Sequence, residues 1–166
     1  MDIRYEAVNK SNKIALILGV FTILGPMAIS MYLPALPEIT TDLGTASVFT
    51  QLSFTATLIG VALGQLWIGS ISDRKGRRKP LLFSLSFYAL ISLFCALSPS
   101  ILFLIIFKFL QGLAGGGSVV LALSVARDLY EGPMLTKTIS LLLLIVSAGP
   151  ILSPLIAGQI LLITSW

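Results

Sequence analysis

The sequence predicts an all-α membrane protein of five transmembrane helices, and three observations carry that reading. Of 166 residues, 56% are hydrophobic and 11% charged, whereas soluble domains carry roughly 25% charged residues. The mean hydropathy is +0.99. The few charges divide the chain into uncharged windows at 14–37, 43–72, 80–107, 109–126 and 138–166, each near or above the roughly 20 residues that cross a bilayer core.

The elements follow in order. Residues 1–13 hold three basic and two acidic residues ahead of the first window. No small-residue cleavage signal follows, so the first window reads as a retained span at 14–33 rather than a removed signal peptide. A loop at 34–46 contains Pro34, Pro37, Glu38 and Asp42. Span 2 covers 47–71 and gives way to a strongly basic loop. Span 3 covers 81–97, where the turn signal Ser98-Pro99-Ser100 ends it. Span 4 covers 101–126 and span 5 covers 138–163. Gly25-Pro26 and Gly149-Pro150 lie inside spans 1 and 5, where proline removes an amide donor and clashes with the preceding turn, so both helices are expected to bend there.

Lys and Arg assign the sides. Arg4, Lys10 and Lys13 precede span 1; Arg74, Lys75, Arg77, Arg78 and Lys79 lie between spans 2 and 3; Arg127 and Lys137 lie between spans 4 and 5. The opposite loops hold Glu38 and Asp42 and no basic residue. The positive-inside bias then predicts a cytoplasmic N-terminus (1–13) in a multi-pass protein of the inner, or plasma, membrane, with Trp166 outside.

Composition also excludes chemistry. There is no His, and Cys95 is the one cysteine, so a His/Cys metal site, an internal disulfide and Ser-His-Asp catalysis are not expected. No span holds a carboxylate pair or an activated nucleophile, so the reading is no enzyme, no metal and no cofactor. The net charge of +4 sits in short segments between apolar runs and orients the chain in the lipid bilayer; nucleic acid is not an expected partner.

Small residues mark helix-packing faces. Gly60-x-x-x-Gly64 in span 2 and Gly112-x-x-x-Gly116 in span 4 allow close backbone approach where lipid offers no hydrophobic drive. Lys108 stands alone as a charge within a span, about 10 Å from the start of its helix. Two readings are open for it. It either snorkels to the outer interface, or lies buried and pairs with an acid or an anionic substrate.

The segment Gly69-Ser70-Ile71-Ser72-Asp73-Arg74-Lys75-Gly76-Arg77-Arg78-Lys79-Pro80 resembles the signature loop between helices 2 and 3 of the major facilitator superfamily. Lys108-Phe109-Leu110-Gln111-Gly112 is similar to the family's helix-4 motif, with Lys108 in place of the usual Arg. Gly149-Pro150 with Ser153-Pro154 and Gly158 is similar to the helix-5 motif of its antiporters, with Ser153 and Pro154 where many members carry two glycines. Met31-Tyr32-Leu33-Pro34-Ala35-Leu36-Pro37 resembles the end of helix 1 in Bcr/CflA-type drug exporters, with Ser30 where many carry an acid.

The resemblance implies five of the six helices of the N-terminal half of a twelve-helix fold, in which each half is built from two inverted three-helix repeats. It implies a transporter that exports amphipathic small molecules by proton-coupled alternating access, the proton being the coupling ion. The chain then reads as a truncated portion that lacks its C-terminal half and is inactive alone. Gly69, Asp73, Arg74, Gly76, Arg77 and Arg78 are the expected gate; Tyr32, Lys108 and Gln111 the substrate cavity or polar network; Gly149, Pro150, Ser153 and Pro154 the helix-5 motif. The alternative is a non-transporting membrane protein that binds a partner through its glycine-rich helix faces.

Overall fold

The computed structural model describes residues 2–163, with side chains described from Ile17 onward except that of Lys75. It contains α1 (Asp2–Asp42), α2 (Ser47–Lys75), α3 (Arg78–Ala96), α4 (Ile101–Leu129) and α5 (Gly132–Leu161). All five are long and apolar enough to cross a membrane, and no strand occurs among the described residues. Lipid leaves unpaired backbone groups without partners, and a helix satisfies them within its own segment. The large apolar side chains left exposed, among them Leu66, Phe83, Leu102, Leu144 and Leu155, suit a lipid solvent. The positions expected outside at Trp166 and the side chains of Arg4, Lys10 and Lys13 fall outside the described residues.

The expected boundaries of α1 and α5 are corrected. The loop predicted at 34–46 shrinks to 43–46, because α1 runs on through Pro34 and Pro37 to Asp42. Each proline removes one backbone hydrogen bond, but ending the helix at residue 33 would strip Ala35 and Ile39 from the core they share with Tyr32, Cys95 and Leu104. Gly44 supplies the actual stop. Its φ of 55° is the left-handed turn of a glycine C-cap, closed by Gly44 N–H to the Thr41 carbonyl at 3.1 Å and Thr45 N–H to the Thr40 carbonyl at 3.1 Å. The longer α1 brings Glu38 and Asp42, expected in a loop, into a spanning helix. α5 likewise starts early, at Gly132, with Pro133 in the first turn preset for helix. Both α1 and α5 continue through their internal Gly-Pro pairs as single helices.

α4 is the centre of the bundle, its buried face running from Leu104 through Gly112 and Ala114–Ser118 to Ala126. Its most extensive partner is α2. A methyl group on Gly60 or Gly64 would collide with the backbone of Phe109 or Leu113, and one on Gly112 or Gly116 with the carbonyls of Thr57 or Val61. The two spaced glycine pairs thus face each other in one seam of direct backbone contact. α1 pairs chiefly with α5, and α3 leans on α4. Gly25 of α1 meets the Gly115 backbone of α4, and the Tyr88 hydroxyl of α3 donates to the Leu24 carbonyl at 3.1 Å.

Candidate functional site

Two polar centres stand at different depths. The first is at the end of the bundle that carries the α2–α3 loop. Gly76 has φ 81°, a conformation that side chains rarely adopt, and it turns the chain so that Arg77 is the N-cap of α3. The Arg77 guanidinium then donates from Nη1 to Ser72 Oγ at 2.7 Å and from Nε to Asp128 Oδ2 at 2.9 Å, and also pairs with Asp73. The hydrogen bonds to Asp128 and Asp73 push its pKa above the ordinary arginine value, so it stays charged. Both carboxylates are well exposed, Asp73 at 64% and Asp128 at 50% of the side chain. Such pairs are worth about 1 kcal/mol or less each. They tie the α2 end to the α4 end with contacts cheap to break and remake.

Of the expected gate residues, Asp73, Gly76 and Arg77 come together here. Gly69 faces Val120 of α4, where a methyl group would lie a tight 3.3 Å from the valine Cγ1. Arg74 and Arg78 are exposed and form no ion pair among the described residues. Asp128 and Ser72 were not foreseen as members. The available signal for Asp128 was an acid placed beside Arg127, in a loop assigned to the same side as Asp73.

The second centre lies within the membrane span. Lys108 is 7% exposed, so it does not snorkel. Its Nζ donates to Gln111 Oε1 at 3.1 Å and sits 4.0 Å from the centre of the Tyr32 ring, a cation–π contact. Helical spacing explains the first contact, since Lys108 and Gln111 are three residues apart on one face. Gln111 Nε2 donates to Ser92 Oγ at 2.8 Å, and Ser92 donates to the Tyr88 carbonyl at 2.8 Å. Ser53 spends its one proton on the Thr50 carbonyl at 2.6 Å, so the Tyr32 hydroxyl is the donor in their 2.6 Å contact. One connected network therefore joins α1, α2, α3 and α4. Ser92 and Ser53 were missed from sequence, because a serine in an apolar run has no local signature.

Tyr32, Lys108 and Gln111 line an open cavity of about 290 Å³, together with apolar residues that include Met31, Leu104 and Leu161. Among the described residues, no acid lines it and no cluster of metal-ligating residues exists. The helix-5 motif stands apart from this cavity. Gly149 faces Ile23 of α1, where an added methyl group would crowd the isoleucine side chain at 3.0 Å, Ser153 Oγ donates to the Gly149 carbonyl at 2.6 Å, and Pro150 is exposed while Pro154 is half-buried. α5 reaches the cavity instead through Ala157, Ile160 and Leu161.

A bundle of apolar helices packed through glycine seams, with a charge cluster at one end and a buried polar network in the span, defines a helical membrane protein of several spans. The chain belongs to the Major Facilitator Superfamily, whose sequence profile matches residues 18–166. It is 47% identical over 150 residues to an uncharacterized MFS-type transporter, YdgK, of Bacillus subtilis strain 168, a match covering 90% of this chain and 37% of that protein. It is 33% identical over 144 residues to the multidrug resistance protein MdtL of Klebsiella pneumoniae, covering 87% of this chain and 37% of the relative. MdtL of Escherichia coli K12 is 32% identical over the same length. The chain spans about 37% of the length of these curated relatives. The five helices correspond to most of the N-terminal six-helix half of the family fold.

Proposed function

We propose that the parent of this chain exports amphipathic small molecules from the cytoplasm by alternating access, that the α2–α3 loop faces the cytoplasm, and that protons drive the cycle. The Arg77 cluster, read as the latch of the gate, carries the reading. It joins the ends of α2 and α4, which the glycine seam already makes one unit, and its contacts are exposed and weak enough to open and close in each cycle. The multidrug resistance name of the MdtL relatives supports drugs as the substrate class. Of the titratable side chains lining the cavity, Lys108 is the one cation, so we place the exchangeable proton on it rather than on a carboxylate. The cavity's apolar walls accept hydrophobic surface and discriminate weakly between similar molecules. A single half offers one wall of a binding site that forms between two halves near the midplane, so the 166-residue chain does not transport alone.

The test uses the parent transporter in inside-out vesicles with an imposed pH gradient. Drug uptake is expected to follow the gradient and to fall at least tenfold in Asp73→Ala and in Asp128→Ala. Unchanged uptake in both variants removes the latch assignment; uptake indifferent to the gradient removes the proton.

A further inference from the structure

Near the same end of the bundle, α2 and α3 touch each other little and leave a groove of about 390 Å³ floored by Leu113 of α4. Trp67, Ile68 and Ile71 form one wall, Pro80 and Phe83 the other. Trp67 is 63% and Phe83 70% exposed, so the groove opens outward, away from the polar network.

Two further features separate this groove from an ordinary lipid-facing surface. Lys79 stands on its rim, exposed and in no ion pair among the described residues, whereas Arg77 two positions earlier is fully engaged by Asp73, Ser72 and Asp128. Ser84 also lines the groove, is 1% exposed, and has a hydroxyl without a hydrogen-bond partner. Helical serines in a span ordinarily bond the carbonyl four residues back, as Ser70, Ser92 and Ser118 do in this molecule. The start of α3 adds positive potential, since its first turn holds no acid and its N-cap makes no side-chain bond.

These features are ordered by depth. Lys79 and Ser84 are five residues apart on one helix, about 7.5 Å along its axis, with the apolar walls beside and beyond them. A cation at the mouth, a lone hydroxyl just below it and a hydrocarbon-lined trough match the sequence of groups in a phospholipid: phosphate, ester, acyl chain. Basic pockets between membrane helices bind anionic lipid head groups by this charge complementarity.

We propose that the α2–α3 groove is a binding site for one anionic phospholipid. Its phosphate rests on Lys79 and the first turn of α3, an ester carbonyl accepts the Ser84 hydroxyl, and one acyl chain fills the trough between Trp67, Ile71 and Phe83. The lipid would set the position of α3 just beyond the turn at Gly76. The site does not depend on transport, so it stands or falls apart from the latch.

The test exploits Trp67 as a reporter inside the trough. The chain carrying Trp166→Phe, in zwitterionic detergent, is titrated with phosphatidylglycerol or phosphatidylcholine of the same brominated acyl chains, and quenching of Trp67 fluorescence is read. Phosphatidylglycerol is expected to bind about fivefold more tightly, the effect of one cation near a lipid phosphate. Lys79→Gln is expected to bring it to the phosphatidylcholine level, while Lys137→Gln changes nothing. Ser84→Phe, which fills the trough, is expected to abolish quenching by both lipids with helicity intact. Equal binding of the two lipids by the Trp166→Phe chain overturns the proposal even if the other variants fail to fold. So does an equal loss in Lys137→Gln, which means diffuse surface charge, or full displacement by inorganic phosphate, which means a bare anion site. Absence of quenching by either lipid assigns the trough to a protein contact and also overturns it.

Discussion

Arg77 and Lys108 are both cations held by side-chain hydrogen bonds, yet they live in opposite surroundings. Arg77 has two carboxylate partners, each at least half exposed; Lys108 has a neutral amide and an aromatic face, and almost no exposure. Charge pairing is cheap where water competes with it and costly to disturb where water is absent. The exposed cluster can therefore open and close with little change in stability. In the buried network, which joins four helices, a lost partner leaves a polar group with no water to replace it. The latch role proposed for the Arg77 cluster requires contacts of the first kind, weak enough to be broken and remade.

The largest expected effect comes from stripping Lys108 of its amide partner. Gln111→Leu leaves a buried cation facing hydrocarbon and orphans the Ser92 hydroxyl as an acceptor, so it should cost about 2–3 kcal/mol in an unfolding titration in mixed micelles. Lys108→Met removes the charge that needed solvation and should be near neutral for stability. The double variant should recover most of the loss, giving a coupling of about 2 kcal/mol in the cycle. Additive losses would mean that Gln111 acts through α3 alone and not through Lys108.

A second effect tests whether the two centres are mechanically joined by the α2–α4 seam. Gly112→Ala places a methyl group against the Thr57 carbonyl, and backbone must move to admit it, at about 1–3 kcal/mol. Gly158→Ala meets nothing within 4 Å and should be neutral or slightly stabilising. Equal stability of the two variants would show that the seam is slack. The shift in Gly112→Ala should also loosen the Asp73–Asp128 spacing, seen as a longer distance between spin labels placed at residues 74 and 129.

How much of this was legible in the sequence depended on whether the signal was local. The glycine pairs in α2 and α4 were readable because spacing by four places both on one helix face, and their pairing across the seam then follows from packing. Lys108 and Gln111 were both marked as polar-network residues, but the partner expected for a buried Lys108 was an acid or an anionic substrate, and the structure gives it the neutral Gln111 amide. Asp128 was not readable, because its partner lies 51 residues away and nothing near it marks it as a latch residue rather than a loop acid. The end of α1 was misread because Pro34 and Pro37 are strong breakers in water-exposed chains, whereas here the burial of Ala35 and Ile39 outweighs two lost hydrogen bonds. The groove between α2 and α3 was invisible to sequence reasoning, since Trp67, Lys79 and Ser84 belong to different helices or different faces until the bundle is assembled.

The smallest stability effect and the sharpest contrast come together in Arg77→Gln. Glutamine keeps a donor for one partner and loses the charge. Because the carboxylates remain solvated, the cost should be below about 1 kcal/mol at low salt. It should shrink further between about 0.01 and 1 M salt, as the screening length falls from about 30 to 3 Å. Gln111→Leu should keep its full cost over the same range, because no mobile ion enters the buried network. A salt-insensitive loss in Arg77→Gln would mean that the cluster is held by packing rather than by charge, and it would then be too stiff to serve as the part that opens.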